Sequence, residues 1–407
     1  MRVRSTALVV LSALLLAGCN DSQSPPTAGP STVPSSSVPL PPKTTAQPTT
    51  TPTSTPTETP SAPSCLDAKL ADLTLRQRAA QLIMTGMSAN GMTSAQRSII
   101  QKQKPGGVLL LGAGGSLAHT RTATAAATTA ATVDGIRPLV AADQEGGQVQ
   151  RLKGSGFTRI PSATVQGTWT SDKLTARATQ WANQLKQAGV NTNLTPVADV
   201  VPASLKKQNA PIGQLDREFG NTSAEVGPKV QAFVHGMTAG GVITSVKHFP
   251  GIGKVKGNTD FSANVFDNVT VRGDDDLQPF ADGIEAGSEL VMVSTVTYTK
   301  IDPKNRAAFS STVIEGMIRG DLGYGGVVIT DDVGAAANVA KVPAGQRATR
   351  VIAAGGDIVI NGAADLTATM VNALVVKAQQ DKKFAAQLDQ SVRRVLALKQ
   401  KHGLVAC

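Results

Sequence analysis

The chain has 407 residues, of which 41% are hydrophobic and 17% charged. That balance supplies a buried core and excludes a charge-driven disordered protein. Aromatics make up 3%, and the formal net charge of +10 is spread without a run of five basic residues, which disfavours nucleic-acid binding by stacking or by a basic stripe. Three cysteines rule out a disulfide-stapled miniprotein and a four-cysteine zinc centre, and the histidines at 119, 235, 248 and 402 lack metal-ligand spacing. No metal or cofactor is expected.

Met1-Arg-Val-Arg4 is a short basic start. The mostly apolar stretch from Thr6 to Leu16 follows it and is too short to span a bilayer comfortably. It ends in Leu16-Ala-Gly-Cys19, which resembles the lipobox of bacterial lipoproteins. The resemblance implies a cleaved leader over residues 1–18 and a lipid on Cys19. Two acyl chains would hold the protein on the extracytoplasmic face of the cell membrane, where one would not suffice. Residues 20–64 hold 12 Pro and 20 Ser or Thr without helical or strand periodicity. Residues 19–64 therefore read as a disordered, extended tether. Cys65 opens the folded part, residues 65–407, and Cys407 ends it. In an exported protein a disulfide between these two is expected; two unpaired thiols are the alternative.

From residue 65 the pattern alternates. Apolar residues at helical spacing run from Leu66 to Ala80. Eight short, continuous apolar runs then follow: 81–84, 106–111, 138–143, 190–199, 241–246, 290–294, 326–330 and 357–360. Continuous rather than alternating runs suit strands buried on both faces. Ala-rich segments of helical length lie between them, such as 119–134, 173–188, 222–239 and 364–379. Eight strands alternating with helices predict an α/β fold, a single-domain (β/α)8 barrel. A doubly wound open sheet is the alternative, although no G-x-G-x-x-G follows a strand and opens a helix.

In such a barrel the chemistry sits at the carboxyl ends of the strands. Polar residues gather there: Asp143 to Arg151 after the third run, Asp199 after the fourth, Lys247-His248 after the fifth, and Asp331-Asp332 after the seventh. One carboxylate in such a place is ordinarily a cap or a salt-bridge partner; several at one end of a barrel suggest a site.

Five ordered motifs resemble glycoside hydrolase family 3. They are Asp-Gln-Glu-Gly-Gly-x-Val-x-Arg (143–151), Asn-Leu-Thr-Pro-Val-Ala-Asp (193–199), Arg-Glu-Phe-Gly (217–220), Lys-His-Phe-Pro-Gly (247–251) and Val-Ile-Thr-Asp-Asp (328–332). The pattern is most similar to single-domain β-N-acetylglucosaminidases acting on peptidoglycan fragments. The resemblance implies a retaining mechanism with a covalent glycosyl-enzyme. It places the nucleophile at Asp331, with Asp332 in support, and assigns Asp143, Arg151, Arg217, Lys247 and His248 to holding the sugar. For each basic residue the competing role is a salt bridge to a barrel carboxylate. The implied partner is a carbohydrate, a β-N-acetylglucosaminide or muropeptide fragment, and the protein is expected to act as a monomer.

The proton donor departs from the family. Its loop after the fifth strand carries Lys-His-Phe-Pro-Gly-His-Gly and then Asp-x-His; here Ile252 replaces the first histidine, Asn258 stands for the Asp and Asp260 for the second histidine. Asp260 is the one carboxylate between 248 and 266. It is expected to serve as acid/base with a raised pKa. The competing reading is a glycan-binding lipoprotein without efficient turnover, and a β-glucosidase of the same family is a third. Lys254 and Lys256 share the loop, as a solvated tip or as an attractor for an anionic sugar neighbour.

Overall fold

The computed structural model describes residues 65–406. Eight parallel strands follow one another as β1 (Ile83–Ser88), β2 (Gly107–Leu111), β3 (Leu139–Ala142), β4 (Thr192–Asn193), β5 (Ile243–Phe249), β6 (Leu290–Val293), β7 (Val327–Thr330) and β8 (Val359–Asn361). Each pairs with the next from β1 to β7, and β8 pairs back with β1. The last seam, β7 against β8, is a single parallel bridge at Ile329 and Ile358, backed by the Thr330 N–H to Ile358 carbonyl bond of 3.0 Å. The sheet is thus a nearly closed barrel, not the open doubly wound alternative.

All eight apolar runs yield a strand, with two adjustments. The ten-residue run 190–199 forms only the short strand Thr192–Asn193. Pro196 has no N–H to donate, and the side-chain oxygens of Asn191 and Asn193 take the backbone N–H of Val140 and Gln144 instead. The first run begins late, because Gln81 belongs to the preceding helix Leu75–Gln81.

The helices start where the sequence supplies caps. Thr74, Thr93 and Thr222 each accept from the N–H three residues on, and Gln77, Gln96 and Glu225 reach back, completing capping boxes. In the helix Ser171–Gln187, Leu174, Ala178, Trp181, Ala182 and Leu185 form one buried stripe, packed on the helix Ser223–Ala239. Burying each large member contributes about 1.5–3 kcal/mol. Among the described residues no helix is long and apolar enough to cross a membrane.

The two ends of the described residues approach one another. Lys69 in the first helix, Cys65–Asp72, donates to the Asp134 carbonyl, and Val405 bridges Ile136 two residues further on. Cys65 is disulfide-bonded. The expected leader, Cys19, the tether and Cys407 lie outside the described residues.

Candidate active site

Two bulges build the floor of the site. Between β5 and β6, Val246 pairs with Val291 and Phe249 with Val293, so one extra residue is inserted at Lys247–His248. After β3 comes a small hairpin of Gln144–Gly146 and Val149–Gln150, whose register slips at Glu145. Bulges re-aim side chains, and both sets of re-aimed groups meet. Gly146 and Gly147 turn this hairpin with φ of 112° and 52°; a Cβ on Gly146 would lie 2.2 Å from the Pro161 carbonyl oxygen, so no larger residue fits.

The result is an interlocked charge network. Lys247 Nζ, 2% exposed, lies 2.7 Å from Asp143 Oδ1 and 2.6 Å from Glu145 Oε1. Arg217 grips Glu145 with two bonds, Nε to Oε2 at 2.8 Å and Nη2 to Oε1 at 2.7 Å, and donates through Nη1 to the Pro211 carbonyl. Burial alone would raise the Glu145 carboxyl, but Arg217 and Lys247 overcome it and hold the group well below the usual carboxylate range. Burial alone would likewise lower Lys247, yet Asp143 and Glu145 keep its proton affinity above the ordinary value. Lys247 and Arg217 are thus both salt-bridged to carboxylates of the barrel. Arg151 differs: among the described residues its guanidinium has no hydrogen-bond or ion-pair partner, and its Nε is buried without one.

His248 is fixed by Asp199. Its Nδ1 lies 2.7 Å from Asp199 Oδ2, and Asp199 Oδ1 accepts the backbone N–H of His248 and of Ile252. Asp199 is fully buried. An Asp–His pair is therefore present, between the segment after β4 and the end of β5 rather than on the loop after β5.

Asp331 follows β7, its N–H bonded to the Val293 carbonyl of β6 at 2.8 Å. Its Oδ1 accepts the Asp332 N–H at 2.8 Å. Asp332 also lines the cavity and fastens the strand ends together, Oδ1 accepting from Gly334 at 2.7 Å, Gly362 at 2.9 Å and Ala335 at 3.2 Å. A Cβ on Gly362 would stand 2.3 Å from Asp332 Oδ2, so this approach requires glycine. Burial pushes the Asp331 carboxyl up; His248 opposes and Asp260 adds to the rise.

Asp260 sits on the loop after β5. The Asn258 side chain accepts its N–H at 2.9 Å, and its carbonyl accepts from Ala337 at 3.1 Å, which seats the loop on the segment after β7. The residue is exposed by surface area, yet packing at the pocket wall and the Asp332 charge push its carboxyl up; solvent access moderates that rise. Lys254 is no attractor for an anion: its ammonium is tied to Asp274 and Asp276, each at 2.9 Å.

Asp143, Arg151, Arg217, Lys247, His248, Asp260 and Asp331 all line one cavity of about 440 Å³ at the carboxyl ends of the strands. Leu109, Leu194, Met292 and Ile360 supply apolar surface beneath them. Such a pocket suits a small polar ring. Among the described residues no cluster of three His, Cys, Asp or Glu side chains could hold a metal ion. Glu145 was not singled out from sequence. Its place two residues after Asp143 was the available signal, but the bulge that turns it inward has no residue signature.

A family model described as the glycosyl hydrolase family 3 N terminal domain matches residues 74–398. A beta-hexosaminidase of Xanthomonas campestris pv. campestris (strain B100) is 30% identical over 301 residues, 72% of this chain and 88% of the relative. The crystal structure of a beta-N-acetylhexosaminidase from Beutenbergia cavernae DSM 12333 superposes with a TM-score of 0.79 at 44% identity, covering 81% of this chain and 99% of that one. A family 3 beta-N-acetylglucosaminidase from Paenibacillus sp. str. FPU-7 gives a TM-score of 0.72 at 28% identity, over 82% of this chain and 64% of the other.

Proposed function

This chain belongs to glycosyl hydrolase family 3, and we propose that it is an exo-acting, retaining β-N-acetylglucosaminidase that removes terminal β-linked N-acetylglucosamine from peptidoglycan-derived fragments. The observation that carries the reading is the meeting of Asp331 and Asp260 at one cavity. One carboxyl lies at a barrel strand end and the other on a loop, so a sugar ring can lie between a nucleophile and a proton donor.

In the first step an Asp331 oxygen attacks the anomeric carbon, the glycosidic C–O bond breaks, and Asp260 gives its proton to the departing oxygen. In the second, the Asp260 carboxylate takes a proton from water, the resulting hydroxyl adds to the anomeric carbon, and the Asp331 ester bond breaks. Lys247, held by Asp143 and Glu145, and His248, held by Asp199, present fixed donors to sugar hydroxyls. The unpaired guanidinium of Arg151 is free to reach a hydroxyl or the acetamide carbonyl.

The test combines three measurements. A fluorinated glycoside with a good leaving group should trap an adduct on Asp331. Asp260→Ala should lose about 10²–10⁴-fold on a natural disaccharide, keep most of its first-step rate on an activated aryl glycoside, and be rescued by azide. An adduct elsewhere, with Asp331→Ala active, would refute the nucleophile; a wild-type-like Asp260→Ala would move the proton donor to the Asp199–His248 pair. Absence of wild-type turnover would favour the glycan-binding reading, and preference for a glucoside the β-glucosidase one.

The proposed place of action is the outer face of the cell membrane, through a lipid on Cys19. The supporting observation is the basic, apolar leader ending in Leu-Ala-Gly-Cys. Metabolic labelling with a lipid analogue should tag the wild type and miss Cys19→Ala; equal labelling would end that reading.

A further inference from the structure

We propose that Phe261 is a stacking platform for the sugar on the leaving-group side of the scissile bond, so that the preferred substrate carries a second pyranose ring there rather than a small alcohol. The inference rests on the glycosidase reading above and names the aglycone that this site takes.

Phe261 is 83% exposed and lines the cavity. Of the nine phenylalanines, seven are buried, and Phe266 at 49% is the other exception. No Tyr, Trp or other Phe contributes to this cavity wall. Leaving an aromatic ring in water forgoes the stabilisation that burial would give, and apolar surface at the edge of a polar pocket marks a contact site. The exposure is also clustered. Of the six large hydrophobic residues exposed among those described, Phe261, Phe266, Val269 and Val271 fall within eleven residues of one another in the excursion after β5.

The ring is presented by a fixed backbone. The Phe261 and Ser262 N–H groups both bond to the Asn258 carbonyl, at 3.2 and 2.8 Å, and the Asp260 carbonyl is held by Ala337. Phe261 directly follows the proposed proton donor in the chain. The donor must reach the glycosidic oxygen, and the leaving sugar is bonded to that same oxygen. That sugar must therefore emerge beside Asp260, where the exposed ring stands. A pyranose in chair form presents a face of C–H groups, which pack on an aromatic ring without needing a charged partner. The charged groups lie on the barrel floor, around the sugar to be cleaved; at the rim, Phe261 supplies apolar surface.

The experiment compares wild type with Phe261→Ala on two substrates: a β-1,4-linked N-acetylglucosamine disaccharide, and β-N-acetylglucosaminyl fluoride, whose leaving group has no ring. Phe261→Ala should lower kcat/KM about tenfold on the disaccharide and leave the fluoride within about twofold, with Phe261→Trp restoring the disaccharide rate. Equal rates on both substrates would overturn the proposal. So would an equal loss on both, which would mean a disturbed loop. Should the wild type turn over neither substrate, the glycosidase reading fails while the platform is still tested: calorimetric disaccharide binding must weaken about tenfold in Phe261→Ala, and unchanged binding refutes it.

Discussion

Lys399 is buried at the amino-terminal end of the barrel, away from the cavity, and among the described residues it has no carboxylate partner. Its Nζ donates to Gln81 Oε1 at 2.6 Å, and burial alone lowers its pKa from 10.5 to about 7. Between those values the unfolded chain binds a proton that the folded one does not, so wild-type stability rises with pH across that window. At 1.36 kcal/mol per pKa unit, the site lowers stability by up to about 4 kcal/mol at pH 7. Lys399→Met removes that loss but leaves Gln81 Oε1 without its donor, a cost of about 1–3 kcal/mol. The variant should be more stable than wild type by about 1–3 kcal/mol at pH 7. That advantage should shrink by about 1.4 kcal/mol per pH unit and reverse at about pH 8 to 9, once the remaining cost of neutralising Lys399 falls below that of the unpaired Gln81 oxygen. Urea denaturation of both proteins at pH 7, 8, 9 and 10 measures the difference. A difference that does not change with pH would show that Lys399 keeps its charge in the fold.

Glu145→Ala should destabilise by about 3–5 kcal/mol, because buried Arg217 then has no carboxylate and Lys247 keeps only Asp143; a urea-midpoint shift equivalent to under half a kilocalorie would refute the network's importance. Asp332→Ala, which frees three backbone N–H groups and the strand end carrying Asp331, should cut kcat by about 10²-fold with little change in KM, and Asp332→Asn should recover part of it; a pure KM effect would refute a positioning role. The pH profile of kcat/KM should be bell-shaped, with both ionisations belonging to the Asp331–Asp260 pair and its acid limb above the ordinary aspartate value of 3.8. Asp260→Asn should retain only the acid limb on the glycosyl fluoride; a surviving alkaline limb would assign it elsewhere. Non-reducing peptide mapping should recover Cys65 linked to Cys407, and two free thiols would refute the pairing.

The barrel was legible because its strands are buried on both faces, and continuous apolar runs such as Leu290–Val293 and Val327–Thr330 admit few other readings. Asp331 was legible because it directly follows such a run. Glu145 and the Asp199–His248 pair were not. Both depend on bulges, at Glu145 and at Lys247–His248, that break the two-residue alternation from which a side chain's face is inferred. The part played by Lys254 was misjudged for a related reason. Asp274 and Asp276, twenty residues on, are brought back against it by the excursion after β5, and nothing in the loop's own composition announces that return.

If Asp260 donates the proton in place of a histidine, as proposed, the proton must be managed differently. An aspartic acid on its own is ionised at neutral pH, so its neighbours must hold the proton on it. Burial and Asp332 do so in part. Asp331 is more deeply buried and rises too, and repulsion between the two carboxylates is reciprocal, so in the protein alone they compete for one proton. Under the proposed roles a bound sugar settles the competition. It covers Asp260 and strips away its water, which raises that group, while the positive charge developing at the anomeric carbon stabilises ionised Asp331. Once Asp331 becomes an ester its charge is gone, the repulsion on Asp260 falls, and the same carboxylate becomes the base that the second step needs. The nucleophile's own charge state therefore times the switch from acid to base, and no histidine is required for the exchange.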